Sequence, residues 1–270
     1  MTQTLAACVA QVDKLCLCIL RGVTSSLTVV ADTELMKCWI CGDTADSREH
    51  FAKASDLRDY FGRIEDEPVY KHTDTSLNDR IHSTKSNKLT FKTRLCRKCN
   101  NELTQPYDCA WAILSKYLQT NWPIIVKNKH FFWSKVFDND TQTHALRVHL
   151  YFVKLFGCRI LEERVPFNIG GFSEALLSGR PHANVFLTFA NAPDIEIKDD
   201  RLGFFSKIQF GNYHSLLPDI GAWTYMFYPV SVRVSYLSRA SPPEYRSRAW
   251  HPSQPSTQVR LGNYHVSAVK

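Results

Sequence analysis

Two hydrophobic periods alternate along this chain. Over residues 145–161, Leu146, Leu150, Val153 and Phe156 recur near three- and four-residue intervals, the spacing that places one face of an α-helix in a core. A second helix is expected after Thr104, which can cap it. Pro106 is tolerated in a first turn, and Ala110, Trp111, Ile113, Leu114, Tyr117 and Leu118 give an apolar face. A shorter helix is expected over 55–62, with Asp56 as its cap. The period changes to two in Val230-Ser231-Val232-Arg233-Val234-Ser235-Tyr236, the clearest strand in the chain. Segments 184–189, 203–209 and 226–236 are rich in Val, Phe and Tyr, as strands are, with turn chemistry at 199–203 and 211–212. Residues 88–95 also alternate, which puts Leu89 and Phe91 inward and Lys88, Lys92 and Arg94 on one outer face. The fold class implied is α+β.

Local composition divides the chain. Residues 1–35 read as an N-terminal extension: the apolar run 15–20 is too short for a signal-peptide core, and Met36 is an alternative start. A short helix or hairpin packed on the first domain is the rival reading of that segment. Residues 36–120 carry the polar chemistry, and 121–238 form a second α+β domain without a functional motif. Residues 239–270, with Pro242, Pro243, Pro252 and Pro255 among many Ser and Arg, read as a mobile tail. There is no run of 18 uncharged apolar residues, so no membrane partner is expected. Composition excludes a mostly disordered chain, with 44% hydrophobic and 22% charged residues over 270 positions.

Nine cysteines is an odd number, and four fall into Cys38-Trp39-Ile40-Cys41 and Cys96-Arg97-Lys98-Cys99. At that spacing two thiolates converge on one tetrahedral ion, so Cys38, Cys41, Cys96 and Cys99 are expected to share a structural Zn²⁺. Gly42 suits the turn after the first pair. A thioredoxin-like redox motif would use one pair and leave the other unexplained. Thiols of this kind suit a reducing, cytoplasmic compartment. Cys109 and Cys158 read as ordinary buried cysteines. Between the pairs lie 54 residues, far more than a plain zinc ribbon needs.

That interval opens with Asp46-Ser47-Arg48-Glu49-His50, and Cys99 is followed by Asn100-Asn101. The order Cys-x-x-Cys, Glu-His, then Leu95-Cys-x-x-Cys-Asn resembles an HNH endonuclease of the zinc-containing treble-clef (ββα-metal) type, over about residues 36–118. The resemblance implies a treble-clef HNH-like domain followed by the second α+β domain, and hydrolysis of phosphodiester bonds in DNA, with RNA as the alternative substrate. It makes His50 the general base and gives Glu49 and Asn100 a catalytic divalent ion, Mg²⁺ or Mn²⁺. Asn87 is the best match for the residue that orients the base, ahead of His82 and Asn78. Asp108 is near enough in sequence to approach the ion, although a first-turn acid on a helix explains it equally. Read singly, His50 fits a satisfied polar side chain, Glu49 a solvated charge and Asn100 a helix cap.

Charge sharpens the picture of the partner. The chain has 33 basic and 26 acidic residues, a net +7, of which residues 239–270 carry +4. Residues 80–98 hold seven basic side chains and no acid. Of these, Lys85, Lys88, Lys92, Arg94, Arg97 and Lys98 are the candidates for tracking a phosphate backbone, against the alternative of a solvated basic loop. A non-catalytic zinc module that binds nucleic acid or protein is the rival function, and an effector that needs activation would use the same chemistry. A homodimer is left open.

Overall fold

The helix expected over 145–161 is longer and is buried on nearly every side. The computed structural model describes residues 37–64, 69–73, 76–191, 203–212, 217–254 and 256–263. The expected extension over 1–35, the alternative start at Met36, turn residues 199–202 and the last seven residues lie outside these. The first part contains β1 (Ser47–His50), α1 (Ala54–Phe61), β2 (Val69–Lys71), β3 (Asp79–Ile81) and β4 (Thr90–Leu95), with a 3-10 turn at Asn87–Leu89. A wide helical turn, Lys98–Leu103, leads into α2 (Gln105–Asn128). There follow β5 (His130–Phe132), α3 (Trp133–Val136), α4 (Thr141–Glu163), α5 (Gly170–Ser178) and β6 (Val185–Asn191). The chain ends with β7 (Gly203–Phe205), β8 (Gln209–Gly211), β9 (Ile220–Phe227), β10 (Val230–Leu237), α6 (Pro243–Ser247) and β11 (Gln258–Asn263). The fold is mixed α and β.

In α4 every residue from Val148 to Cys158 is buried, His149 and Lys154 included. A helix covered all round must lie inside the fold. It packs on α2, α5, β4 and β6. The main sheet has the order β5-β11-β6-β10-β9-β7, with β8 also on β9. Its longest ladder is the β9–β10 hairpin, which runs in continuous antiparallel register from Val230 opposite Phe227 to Leu237 opposite Ile220. Residues 226–236, expected as one strand, therefore cross the turn of this hairpin. Alternation was a sound guide to β10, while β9 escapes it because its residues 221–227 are all buried.

Three local expectations change for physical reasons. The expected mobile tail contains packed elements: Trp250 is buried and bridges Leu187, and β11 lies between β5 and β6, parallel to β6. Pro242 precedes α6, Pro243 opens it, and Pro252 lies in the turn after Trp250. Asp56 is not a cap. It is buried inside α1 and accepts hydrogen bonds from Trp111 Nε1 at 2.7 Å and Tyr225 Oη at 2.5 Å. Cys158 is buried as expected, whereas Cys109 is exposed.

The hydrophobic core does not divide at residue 120. One buried cluster runs from Cys38 and Ile40 through Trp111 and Phe152 to Trp223 and Val259. Contacts near the first cysteine pair show how close the fit is. A Cβ added at Gly157 of α4 would lie 2.5 Å from Trp39 Cη2, so glycine is required for the helix to approach the indole. Ser173 of α5 donates to the Ile40 carbonyl at 2.7 Å. A second junction is made of three histidines. His182 N–H donates to His149 Nε2 at 3.1 Å, and His251 Nε2 donates to the His182 carbonyl at 3.1 Å. Burial keeps all three neutral: it holds His149 well below the usual imidazole value, lowers His251, and brings His182 down to about 4.

Two outcomes follow from this packing. Gly157→Ala should destabilise the protein by about 1–3 kcal/mol through overpacking, whereas Gly211→Ala, whose Cβ would meet Ile220 Cγ2 at 3.7 Å, should leave the thermal midpoint nearly unchanged. The buried histidines bind protons more readily once the chain unfolds, so their contribution is present above about pH 6.5 and is lost as pH falls towards 4. His182→Asn, which keeps an acceptor for the Asn184 N–H, should reduce the slope of stability against pH in that window by up to about 1.4 kcal/mol per pH unit. Denaturant melts at several pH values measure it.

Candidate functional site

The two Cys-x-x-Cys segments meet. The Sγ atoms of Cys38, Cys41, Cys96 and Cys99 all lie within 4.8 Å of one another, and Cys41 and Cys96 are 3.5 Å apart. A tetrahedral zinc with bonds of about 2.3 Å separates its sulfurs by about 3.8 Å, so the donor set and spacing fit that ion. Local sequence builds each half. Gly42, at φ 85°, lets its N–H return to the Cys38 carbonyl at 2.8 Å. In the second half, Cys99 N–H points at Cys96 Sγ at 3.3 Å as the chain enters the helical turn before α2. Burial raises Cys41 to about 11 and Cys99 further, with neighbouring cysteines adding to the rise, whereas at Cys38 burial is outweighed by backbone hydrogen bonds, which lower it; a divalent cation would favour the thiolate at each.

Directly beside this junction, β1 and β4 pair antiparallel. Ser47 faces Leu95, Arg48 faces Arg94, and His50 faces Thr90. Between the last two pairs β4 has three residues against one on β1, a bulge that bends the hairpin. The freed N–H groups of Lys92 and Thr93 donate to Glu162 of α4, at 2.8 and 3.3 Å. Consecutive residues Glu49 and His50 then line the same cleft, of about 200 Å³, with Arg48, Lys53, Asn100 and Asp108. Asn100 is fixed by its amide, which donates to Ser47 Oγ at 2.9 Å and to the Arg48 carbonyl at 3.1 Å. Its Oδ1 is buried without a partner, as is His50 Nε2.

The charges here are organised around Lys154. This α4 side chain is fully buried, with Nζ 3.1 Å from Glu49 Oε1 and 2.8 Å from Asp108 Oδ1. Burial alone would strip its proton, but the two carboxylates outweigh burial and raise its pKa above the ordinary lysine value. Burial in turn pushes Glu49 up to about 7, Lys154 drawing it down and Asp108 reinforcing the rise. Glu49 and Lys154 titrate as a coupled pair. Lys53 donates to the Asp108 carbonyl, and burial lowers its pKa. His50 is lowered by burial first and by Lys154 second, so its imidazole is neutral at pH 7.

Glu49, His50 and Asn100 are thus brought to one cleft, together with Asp108. Asn87 is exposed on the turn before β4 and is not among the residues that line the cleft; Asn78 and His82 are also exposed. The basic candidates separate. Lys88 lies on the 3-10 turn rather than on β4, where it pairs with Asp79 and donates to the Arg80 carbonyl at 2.9 Å. Arg97 is drawn to Asp46 at 3.3 Å, while Lys85, Lys92 and Lys98 are exposed. Arg94 is the cross-strand register partner of Arg48, a like-charge pair of which Arg48 lines the cleft.

Sequence reading missed Lys154. A lysine within the otherwise apolar run 150–158 was the available signal, since such a residue needs a buried counter-charge. The same lysine decides the fit of a catalytic divalent ion. Glu49 Oε1 and Asp108 Oδ1 are already engaged by an ammonium, and Arg48 and Lys53 add two more cations to the cleft lining. At about 5 Å and an effective dielectric near 20, a dication and an ammonium repel by roughly 7 kcal/mol. The donor set does not fit Mg²⁺ or Mn²⁺. Among the described residues, the four cysteines are the one cluster of three or more His, Cys, Asp or Glu ligand atoms close enough to hold a metal. No helix among the described residues is long and apolar enough to cross a membrane.

No protein-family model, curated protein or solved structure matches this chain.

The purified protein should carry one zinc per chain by elemental mass spectrometry. Cys99→Ser should lower the zinc content and unfold the cysteine junction, since structural zinc contributes on the order of 10 kcal/mol to small metal-dependent domains. Full zinc content and an unchanged melt in that variant would remove the metal assignment.

Proposed function

We propose that this protein hydrolyses phosphodiester bonds of nucleic acid, DNA or RNA, at the cleft beside the cysteine junction, with His50 as general base. The observation that carries the reading is the convergence of a neutral, unpartnered imidazole nitrogen with the cations Arg48 and Lys53 at one cleft, Arg48 having Arg94 as its cross-strand partner. Two arginines placed side by side repel each other, and a phosphate backbone between them relieves the repulsion. In the reaction His50 Nε2 takes a proton from water as the water oxygen bonds to phosphorus. The bond from phosphorus to the leaving ester oxygen breaks, and that oxygen takes a proton from solvent. His50 then returns its own proton to solvent. Arg48 and Lys53 supply positive charge opposite the phosphoryl oxygens, and the Asn100 Oδ1 is an acceptor for the attacking water. The resemblance to HNH endonucleases supports the same assignment of His50.

Binding without cleavage is the second reading. It is favoured by the pairing of both cleft carboxylates with Lys154, which leaves the site without the divalent ion expected of that family.

Supercoiled plasmid and single-stranded RNA, incubated with wild type and with His50→Ala, separate the two. His50→Ala should melt like wild type and lose about 10²–10⁴-fold in rate, the usual contribution of a general base. The acid limb of the wild-type rate should lie below pH 6.5, because the imidazole is held below that ordinary value. Cleavage by His50→Ala at the wild-type rate would end the catalytic assignment. Salt-sensitive binding with no cleavage by either protein would establish the second reading.

A further inference from the structure

The ammonium of Lys154 has no spare valence. Its three N–H bonds face Asp108 Oδ1 at 2.8 Å, Glu49 Oε1 at 3.1 Å and Thr104 Oγ1 at 3.3 Å. Those three acceptors come from α2, from the residue that precedes it and from β1, while the lysine itself comes from α4. One cation therefore ties together the hairpin that carries His50, the helix that follows the second cysteine pair, and the central helix of the core. Its side chain is 0% exposed, so water contributes nothing to the solvation of its charge. An uncompensated charge in that position would be prohibitive, and removing one partner of such a unit strands the others.

The same coordination describes what a hard divalent ion does in a phosphodiester site, namely to neutralise and hold carboxylates from separate elements. We infer that Lys154 takes over the charge-neutralising role of that ion: it is the buried cation behind the cleft, held by the Glu49 and Asp108 carboxylates that line it, and the cleft carries its phosphate chemistry without Mg²⁺ or Mn²⁺. The inference rests on the phosphodiester reading above for the chemistry, but not for the metal. Because every Lys154 proton is engaged within the protein, it does not touch the substrate. It is a positioning residue, and Arg48 and Lys53 are the cations left to meet the phosphate.

A gain of metal binding tests this, since a merely structural lysine would not produce one. Zinc-loaded wild type, freed of other divalent ions, is titrated with millimolar Mn²⁺ and followed by electron paramagnetic resonance. Wild type should show no saturable Mn²⁺ site. Lys154→Met, with its two carboxylates released, should bind Mn²⁺ at least about tenfold more tightly than wild type, and the added Glu49→Gln change should abolish the new site. A wild-type Mn²⁺ site lost in Glu49→Gln overturns the inference, as does a folded Lys154→Met that gains no binding. If Lys154→Met does not fold, the comparison of wild type with Glu49→Gln decides. Cleavage assays on the same zinc-loaded protein separate the two claims. A rate unchanged by added Mg²⁺ supports the inference, and a more than tenfold rise overturns it. No cleavage under either condition overturns the phosphodiester reading, and the Mn²⁺ titration then still decides whether Lys154 takes over the role of an ion.

Discussion

Four thiols drawn to within 4.8 Å of one another are the constraint on which the rest of the site depends. They belong to segments separated by 54 residues, so bringing them together closes a long loop, and a metal ion held by the four thiols would be strong enough to offset that entropy. Once Cys38 and Cys96 are neighbours, the strands that follow and precede them must run side by side. That is the β1–β4 pairing, with Asp46 N–H on the Leu95 carbonyl at 3.1 Å and Asp46 Oδ1 accepting from Arg97 N–H at 2.8 Å. The cleft is the consequence of a short hairpin anchored at one end by sulfur and bent at the other by a bulge.

The second constraint is electrostatic and comes from outside the cysteine segments. The short β1–β4 hairpin beside the cysteines needs packing from elsewhere in the chain. Here α4 supplies it: Gly157 admits the Trp39 ring, and Glu162 accepts the N–H groups that the bulge releases. The polar contacts repeat the pattern at the core of the molecule, where Asp56 of α1 is held by Trp111 of α2 and Tyr225 of β9. Lys154 belongs to the same set of ties across residue 120. The cleft is a property of the whole described fold, not of a detachable module.

Legibility in the sequence followed locality. The clustering of the two Cys-x-x-Cys pairs was readable because each is a short pattern with fixed local geometry, and Glu49, His50 and Asn100, each near such a pair in sequence, fall in one cleft. The β10 strand was readable because one period of two survives in Val230–Leu237. What could not be read depends on partners far away in sequence. Lys154 acquires its meaning only from Glu49 and Asp108, more than forty residues earlier. β11 is a strand because β5 and β6 flank it, not because of its own composition, and the surrounding prolines and serines argued for a loop. Lys88 was placed on the outer face of a strand by alternation, but Ser86 accepts from its N–H at 3.3 Å and starts a 3-10 turn instead.

Hydrogen exchange with and without zinc is the most direct measurement of the claim that the cysteine junction builds the cleft. Removal of zinc should deprotect β1, β4 and residues 98–103 first, while amides of the β9–β10 hairpin stay protected. Unchanged protection of β1 and β4 after zinc is removed would show that the hairpin and its cleft stand without the metal, and would contradict the account.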